Sequence, residues 1–309
     1  MGASTFTFTD PDGFEVFVYK WAPSDPARAV VQIAHGGVEH ALRYQRVAEF
    51  LNGHGYVVYA NDHRAHGKTA GTLDQAGKAG NDGWNGIVRD FKQLTDIVKD
   101  ENPGLPVFVL GHSLGSIVAQ QYMGQHGDGV AGVILSGTFG TLGDTSELMM
   151  AIDHAMATGG PDAPSEVIAG MFGAFNEPFD GETGFEWLSR DEVEVQKYVD
   201  DPWCGTFPLS NEFVRDFFVG MEEIWRPENE AKIPKTLPVY VISGDQDPAG
   251  GFTETAKVLV DRYEALGLND LTYKFYPEAR HEILNETNRD EVHTDILNWL
   301  ELRLPSSRS

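Results

Sequence analysis

Five short apolar runs recur along the chain: Ala29–Ala34 (AVVQIA), Tyr56–Ala60 (YVVYA), Pro106–Leu110 (PVFVL), Val130–Leu135 (VAGVIL) and Pro238–Ser243 (PVYVIS). Each is apolar at nearly every residue rather than at alternate ones, the mark of a strand buried on both faces. Amphipathic stretches lie between them. Tyr44, Val47, Ala48 and Leu51 share one helical face, as do Ile87, Phe91, Leu94 and Val98. Phe252, Ala256, Leu259, Val260 and Tyr263 mark a later helix with Gly267 as its cap, and Val292, Ile296, Trp299 and Leu300 the last one. A buried strand, a helix and another buried strand make a crossover unit, so the pattern predicts an α/β fold with a parallel sheet covered on both sides.

Three further segments complete the sheet. Phe6–Thr9 and Phe14–Tyr19 flank the turn dipeptide Asp12-Gly13 and read as a hairpin, and Leu271–Tyr276 reads as the last strand. The alternation stops over residues 138–236. Apolar stretches there, Leu148–Ala157, Val167–Phe175 and Phe213–Met221, have helical rather than strand character. Residues 138–236 are therefore expected to form a helical cap, inserted into a core of residues 1–137 and 237–309. Its expected place is above the carboxyl ends of the strands, where open α/β sheets bind ligands.

Charge narrows the function. The 309 residues carry 23 basic and 47 acidic side chains, a net charge of -24. A nucleic-acid partner needs a basic footprint and is excluded. Strong attraction to anionic membranes is disfavoured for the same reason, which leaves at most transient membrane contact through the cap. Cys204 is the single cysteine, so an intrachain disulfide and a cysteine-rich zinc site are both ruled out. The opening MGASTFTFTDPDGFEVFVYKW has neither a basic nor an apolar leader segment, and a cytoplasmic protein is expected.

The chemistry centres on Gly111-His112-Ser113-Leu114-Gly115, which sits between a buried strand and a helix. In that setting G-x-S-x-G is a nucleophile elbow. The chain turns sharply at the serine, and strand and helix approach so closely that both flanking positions must be glycine. A serine hydroxyl is a weak nucleophile and needs a base oriented by a third group, in the chain order Ser, acid, His. Asp247 and His281 follow the last two strands and fall on the same sheet edge as Ser113. Asp245 is the rival acid; Asp247 is preferred because it lies further beyond the strand end. The amides of Gly37, in the glycine-rich loop after Ala34, and of Leu114 are the expected oxyanion donors.

His35, His40, His63 and His66 match no zinc spacing, so no metal is expected. They are expected to order loops by hydrogen bonding, with the segment Asp62–Gly67 forming a polar network under the cleft. His293, in the final helix, is expected at the surface. Cys204 is expected as a small buried side chain. Met149, Met150, Met156, Met171, Phe172 and Phe175 form apolar stripes in the cap. Packing alone accounts for such stripes, and the functional reading is an acyl-chain pocket that includes Met171 and Phe172.

The segments HGGVEHALRY (35–44), NDHRAHGKT (61–69), GHSLGS (111–116), WLSRDEVEVQKYVDDPWCG (187–205), GDQDP (244–248) and RHEILNE (280–286) resemble the monoglyceride lipase and lysophospholipase-like branch of the α/β-hydrolase superfamily. The resemblance implies a mostly parallel eight-stranded sheet, a Ser113–Asp247–His281 triad, oxyanion amides at Gly37 and Leu114, and no cofactor. Two positions depart from the family pattern: Val38 replaces a glycine, and Glu278 stands where many relatives have glycine. The expected activity is serine ester hydrolysis on monoacylglycerol-like or other acyl esters. Lysophospholipids, small esters, acyl transfer and peptide hydrolysis are the alternatives on the same triad. A small-molecule receptor on a hydrolase fold is the non-enzymatic alternative.

Overall fold

The computed structural model describes residues 2–205 and 207–304; positions 1 and 305–309 of the expected core and position 206 of the expected cap lie outside them. In chain order the strands are β1 (Ser4–Thr9), β2 (Glu15–Trp21), β3 (Ala29–Ala34), β4 (Tyr56–Asn61), β5 (Val107–His112), β6 (Gly132–Ser136), β7 (Val239–Gly244) and β8 (Leu271–Tyr276). They form one sheet in the order β1-β2-β4-β3-β5-β6-β7-β8. β2 is antiparallel to both its neighbours, and the pairs from β4 to β8 are parallel. β3 through β7 are buried along their whole length, as their unbroken apolar runs require.

Period-two alternation divides the sheet residues between two apolar layers. Phe108, Leu110, Ile134, Tyr240 and Ile242 point to one face, where α1 (Gln45–Asn52) and α10 (Arg289–Glu301) supply Val47, Leu51, Val292 and Ile296. Val109, Val133, Leu135, Val239 and Val241 point to the other. There α2 (Gly83–Glu101), α3 (Leu114–His126) and α9 (Glu254–Leu266) supply Ile87, Phe91, Ile117, Tyr122 and Leu259. The helix α9 starts later than its apolar pattern suggests. Phe252 and Thr253 have φ of 54° and 78° and belong to the preceding turn, while Gly267 caps the end at φ 79°.

Between β6 and β7 lie α4 (Ser146–Gly159), α5 (Glu166–Asn176), α6 (Glu192–Asp200), α7 (Asn211–Ile224) and the short α8 (Pro227–Glu230). Ser210 caps α7 by accepting from the Phe213 amide. The apolar face of α7, with Phe213, Phe218 and Met221, joins the same layer as Ile87 and Ile117. This helix is thus welded to the sheet's own core rather than standing clear of it. A smaller cluster of Trp187, Leu188, Tyr198 and Cys204 sits beside it.

The expectation that His293 is exposed is corrected. It is 2% exposed, its Nε2 lies 3.1 Å from the Leu284 carbonyl, and its ring packs 5.5 Å from Phe50. The turn after His281 leaves the Leu284 carbonyl turned toward α10, and His293 is the side chain that satisfies it. Cys204 is buried, as expected for a small core residue.

Below the cleft, Asp62 accepts from the amides of Ala41 and Lys68 at 2.9 and 2.7 Å. Arg64, fully buried, pairs with Asp90 at 2.7 Å, with Asp12 at 2.8 Å and with Asp10. These contacts tie the amino-terminal hairpin, the loop after β4 and α2 into one unit.

Candidate active site

The turn at Ser113 is as sharp as its glycines imply. Its φ is 52° and ψ −120°, a region that L-residues rarely occupy. A Cβ on Gly111 would lie 2.3 Å from the Gly115 carbonyl oxygen, and one on Gly115 would lie 2.1 Å from that of Ala34. Helix α3 therefore meets β5 at Gly111 and the end of β3 at Gly115 at distances that only glycine permits. Gly36 is constrained more mildly: a Cβ there would come 2.7 Å from Glu39 Oε1 and 3.3 Å from the Ser113 Cβ. The glycine-rich loop after β3 is thus pressed against the elbow, and Gly37 lies beside Leu114.

Asp247 is fully buried, and its Oδ2 lies 2.9 Å from His281 Nδ1. The same oxygen accepts from the Ser243 hydroxyl at 3.2 Å, and Oδ1 accepts from the Ala249 amide at 2.9 Å. Burial pushes the carboxyl up, but the charge of His281 and the hydrogen bond to it outweigh burial and hold it below the usual range. For His281 burial acts downward, and the Asp247 carboxylate more than compensates, raising the imidazole above its ordinary value. With Nδ1 committed to Asp247, Nε2 faces away from the acid. Asp245 does not join them. It half-emerges at the surface, where its carboxylate accepts from the Glu278 amide at 2.8 Å.

Ser113, Leu114, Gly37 and His281 line one cavity that is partly open to solvent. Its far wall is apolar and comes from α5 and α7, with Met171, Phe172 and Phe175 on one side and Phe213, Phe217 and Met221 on the other. Met149, Met150 and Met156 are not part of this lining, and Met150 is 64% exposed. The Phe172 ring stacks on Trp187 at 5.9 Å, and Trp187 in turn lies 4.9 Å from the His281 ring.

Behind the elbow is a polar chamber lined by Glu39, Arg43, Tyr44, His112, Glu282 and Asn285 among others. Arg43 binds both Glu282 oxygens, at 2.6 and 2.7 Å, and Glu39 at 2.5 Å. Glu39 also accepts from the Gly36 amide at 2.6 Å and the Tyr44 hydroxyl at 2.8 Å. Burial would raise the Glu282 carboxyl, yet Arg43's charge and hydrogen bonds bring it down to about 2. Neither Glu39, Arg43 nor Glu282 stands out in the sequence by role; the available signal was the spacing of Glu39 and Arg43, four residues apart.

The loop histidines are hydrogen-bonding groups. His35 Nδ1 is 2.7 Å from the Gly36 carbonyl, and its Nε2 accepts from the His63 amide at 2.9 Å. His66 Nδ1 lies 2.8 Å from the Arg64 carbonyl. Burial lowers His63 to about 3 and His66 to about 4, so both stay neutral. His40 pairs with Asp201 at 2.9 Å, with Cys204 close by. Burial pushes the Cys204 thiol up, which opposes the thiolate a metal would need.

Both departures from the family pattern fall where the backbone is left-handed: Val38 has φ 55° and Glu278 φ 61°. Glycine is the unstrained choice at such positions. Among the described residues, no helix is long and apolar enough to cross a membrane.

Comparison with known proteins supplies the family. Residues 25–288 match the hydrolase family described as serine aminopeptidase, S33. Monoacylglycerol lipase of Mycolicibacterium smegmatis is 29% identical over 96% of both chains. Human monoglyceride lipase is 27% identical over 94% of this chain and 88% of its own. A highly thermostable carboxyl esterase from Bacillus coagulans, solved in complex with glycerol, superposes with a TM-score of 0.91 at 32% identity, covering 99% of this chain and all of that one. The chain belongs to this serine aminopeptidase S33 family, as an ester hydrolase of the α/β-hydrolase fold in its monoacylglycerol lipase-like branch.

Proposed function

We propose that this ester hydrolase cleaves monoacylglycerol-like esters through a Ser113–His281–Asp247 triad. The observation that carries the reading is a single cavity that joins Ser113 and His281 to an apolar wall, with Asp247 hydrogen-bonded behind the histidine. Ser113 Oγ attacks the ester carbonyl carbon and its proton passes to His281 Nε2. Asp247 holds the ring in that orientation and stabilises the imidazolium. The Gly37 and Leu114 amides donate to the oxyanion. As the carbonyl re-forms, the ester C–O bond breaks, and His281 returns the proton to the departing alcohol. Water, deprotonated by His281, then attacks the acyl-enzyme; its collapse releases the acid and restores Ser113.

The two ends of the site suit an amphiphile. Residues 138–236 act as a cap whose Met171 and Phe172 pack on the acyl chain. The same cavity is also lined by Glu39, His112 and Glu282, polar groups that suit the substrate's alcohol. An aminopeptidase would need a free carboxylate for the substrate's amino terminus. Glu39 and Glu282 are the carboxylates among the described residues lining the cavity, and both are taken by Arg43. Ester cleavage is therefore favoured over peptide cleavage.

The test is a substrate panel: 1-monoacylglycerol, lysophosphatidylcholine of the same chain, p-nitrophenyl esters and an aminoacyl anilide. The reading expects the highest kcat/KM on monoacylglycerol or a medium-chain aryl ester, with little anilide turnover. Preference for the anilide or for lysophosphatidylcholine would overturn the substrate assignment.

A further inference from the structure

Val38 is an unusual residue to find at φ 55°. A β-branched side chain makes the left-handed region costly, and such a conformation persists only where its surroundings enforce it. The surroundings here come from the segment between α5 and α7. The Val38 carbonyl accepts two hydrogen bonds, one from the Tyr198 hydroxyl at 2.9 Å and one from the Gly205 amide at 3.0 Å. Tyr198 sits on α6, 160 residues away in sequence. Its ring is fixed by the Arg43 guanidinium, 4.7 Å from the ring centre, and by Phe185 at 5.1 Å. Gly205 itself has φ 62°, and a Cβ there would come within 2.6 Å of the Tyr198 ring. Both donors are therefore closely fitted to one acceptor.

The other end of the glycine-rich loop is held from the opposite side, by Glu39 accepting from the Gly36 amide. His35 Nδ1, 2.7 Å from the Gly36 carbonyl, steadies the front of the same peptide, and Gly37, with no side chain of its own, depends on the Val38 side for the rest of its hold. The same segment also grips the histidine loop: the His281 amide donates to the Trp187 carbonyl at 3.3 Å and the Glu282 amide to the Leu188 carbonyl at 2.7 Å. Residues 187–205 thus touch both loops that meet at Ser113.

We propose that Tyr198, together with Gly205, is a positioning residue that clamps Val38 in a glycine-like conformation and so keeps the Gly37 amide aimed at the oxyanion. The inference rests on the proposed role of Gly37 in ester hydrolysis. Without the phenol, one of the two bonds opposing the strain is gone. Val38 then relaxes toward negative φ, the 37–38 peptide turns, and the change passes through the Gly37 Cα, which no side chain restrains, to the 36–37 peptide that carries the Gly37 N–H. The relatives' glycine at this position would meet no such strain, so the clamp matters here because the residue is valine.

The experiment is a double-mutant cycle with Tyr198→Phe and Val38→Gly, assayed on a soluble aryl ester. Loss of an oxyanion donor costs about 10²–10³ in kcat, and a misdirected one about tenfold or more. Tyr198→Phe in the natural background should therefore lower kcat about tenfold or more, with KM changed less than about twofold. In the Val38→Gly background the same substitution should cost about threefold or less, because glycine holds the left-handed conformation unaided. Affinity for a trifluoromethyl ketone, whose adduct carries an oxyanion, should fall in step with kcat. Equal losses in both backgrounds, or a loss confined to KM, would overturn the clamp. Circular dichroism and melting temperature identify any variant that fails to fold. Should Tyr198→Phe not fold, Gly205→Ala in the two backgrounds supplies the same comparison: it keeps the amide, but its Cβ would come within 2.6 Å of the Tyr198 ring and so displace both donors from the Val38 carbonyl. A Ser113→Ala control keeps the two claims apart: if it retains turnover, the triad reading fails, whereas non-coupling with an inactive Ser113→Ala rejects only the clamp.

Discussion

Met171→Ala should change chain-length selectivity and leave the chemistry alone. The Met171 side chain lines the cavity from α5, while His281 has its ring contacts with Trp187 and His112 and its hydrogen bond with Asp247. Each methylene buried against apolar surface contributes about 0.8 kcal/mol, so kcat/KM can rise up to about fourfold per carbon until the cavity is filled. Complete burial of a methionine-sized side chain is worth about 1.5–3 kcal/mol, and a wall residue presents roughly half its surface to the ligand. Truncation should therefore cost about 1 kcal/mol, or roughly fivefold in kcat/KM, once the acyl chain reaches it. The assay is a p-nitrophenyl ester series from C2 to C16 on both enzymes, with fold checked by circular dichroism. The long-chain end should drop roughly fivefold while acetate hydrolysis stays within about twofold. Phe172→Ala should behave differently: it removes the ring stacked on Trp187, which packs on His281, so acetate hydrolysis should fall as well. Equal losses at both ends of the series for Met171→Ala, or a natural enzyme that declines steadily from acetate, would refute an acyl pocket on α5.

The acid and the pH profile are linked. His281 must be neutral to accept a proton, so activity should be full above its raised pKa and fall about tenfold per pH unit below it. Asp247→Asn removes what raises that pKa and leaves burial to act, so the acid limb should move to lower pH while the plateau falls about 10⁴-fold. Asp245→Asn should do neither; the reverse ranking in a pH–rate series would reject Asp247 as the acid. Arg64→Met should destabilise the fold by about 3–5 kcal/mol in urea denaturation, because it strands the buried Asp10 and Asp90 carboxylates together. A loss below about 1 kcal/mol would mean that the network is dispensable. Exhaustive chelation should leave turnover unchanged; a loss restored by one specific divalent ion would contradict a metal-free mechanism.

Much of this architecture is readable from local patterns, and the limits are physical. The apolar runs mark β3 to β7 because a strand buried on both faces has no freedom to be polar. The elbow is legible because two backbones in contact at Gly111 and Gly115 exclude every side chain. That Asp247 and His281 come together could be anticipated because strand ends in a parallel sheet share one edge. The Glu39–Arg43–Glu282 cluster escapes such reading, since Arg43 and Glu282 are 239 residues apart and no periodicity links them. Tyr198 is hidden for a related reason: α6 reads EVEVQKYVD, whose alternation mimics a strand, and its partner is a backbone carbonyl on a distant loop. His293 misleads because a polar residue on an amphipathic helix defaults to the surface unless a buried acceptor claims it, and here the Leu284 carbonyl does. The departures at Val38 and Glu278 become meaningful only with their φ angles in view.

The central claim is that Ser113 is the nucleophile at the head of this cavity. The most direct measurement is intact-protein and peptide mass spectrometry after reaction with a fluorophosphonate, on the natural chain and on Ser113→Ala. The account predicts one adduct per chain, located on Ser113, absent from Ser113→Ala, with ester turnover in that variant lowered by about 10⁶. Labelling of another serine, or a Ser113→Ala protein that keeps more than about a tenth of natural turnover in a clean preparation, would contradict it.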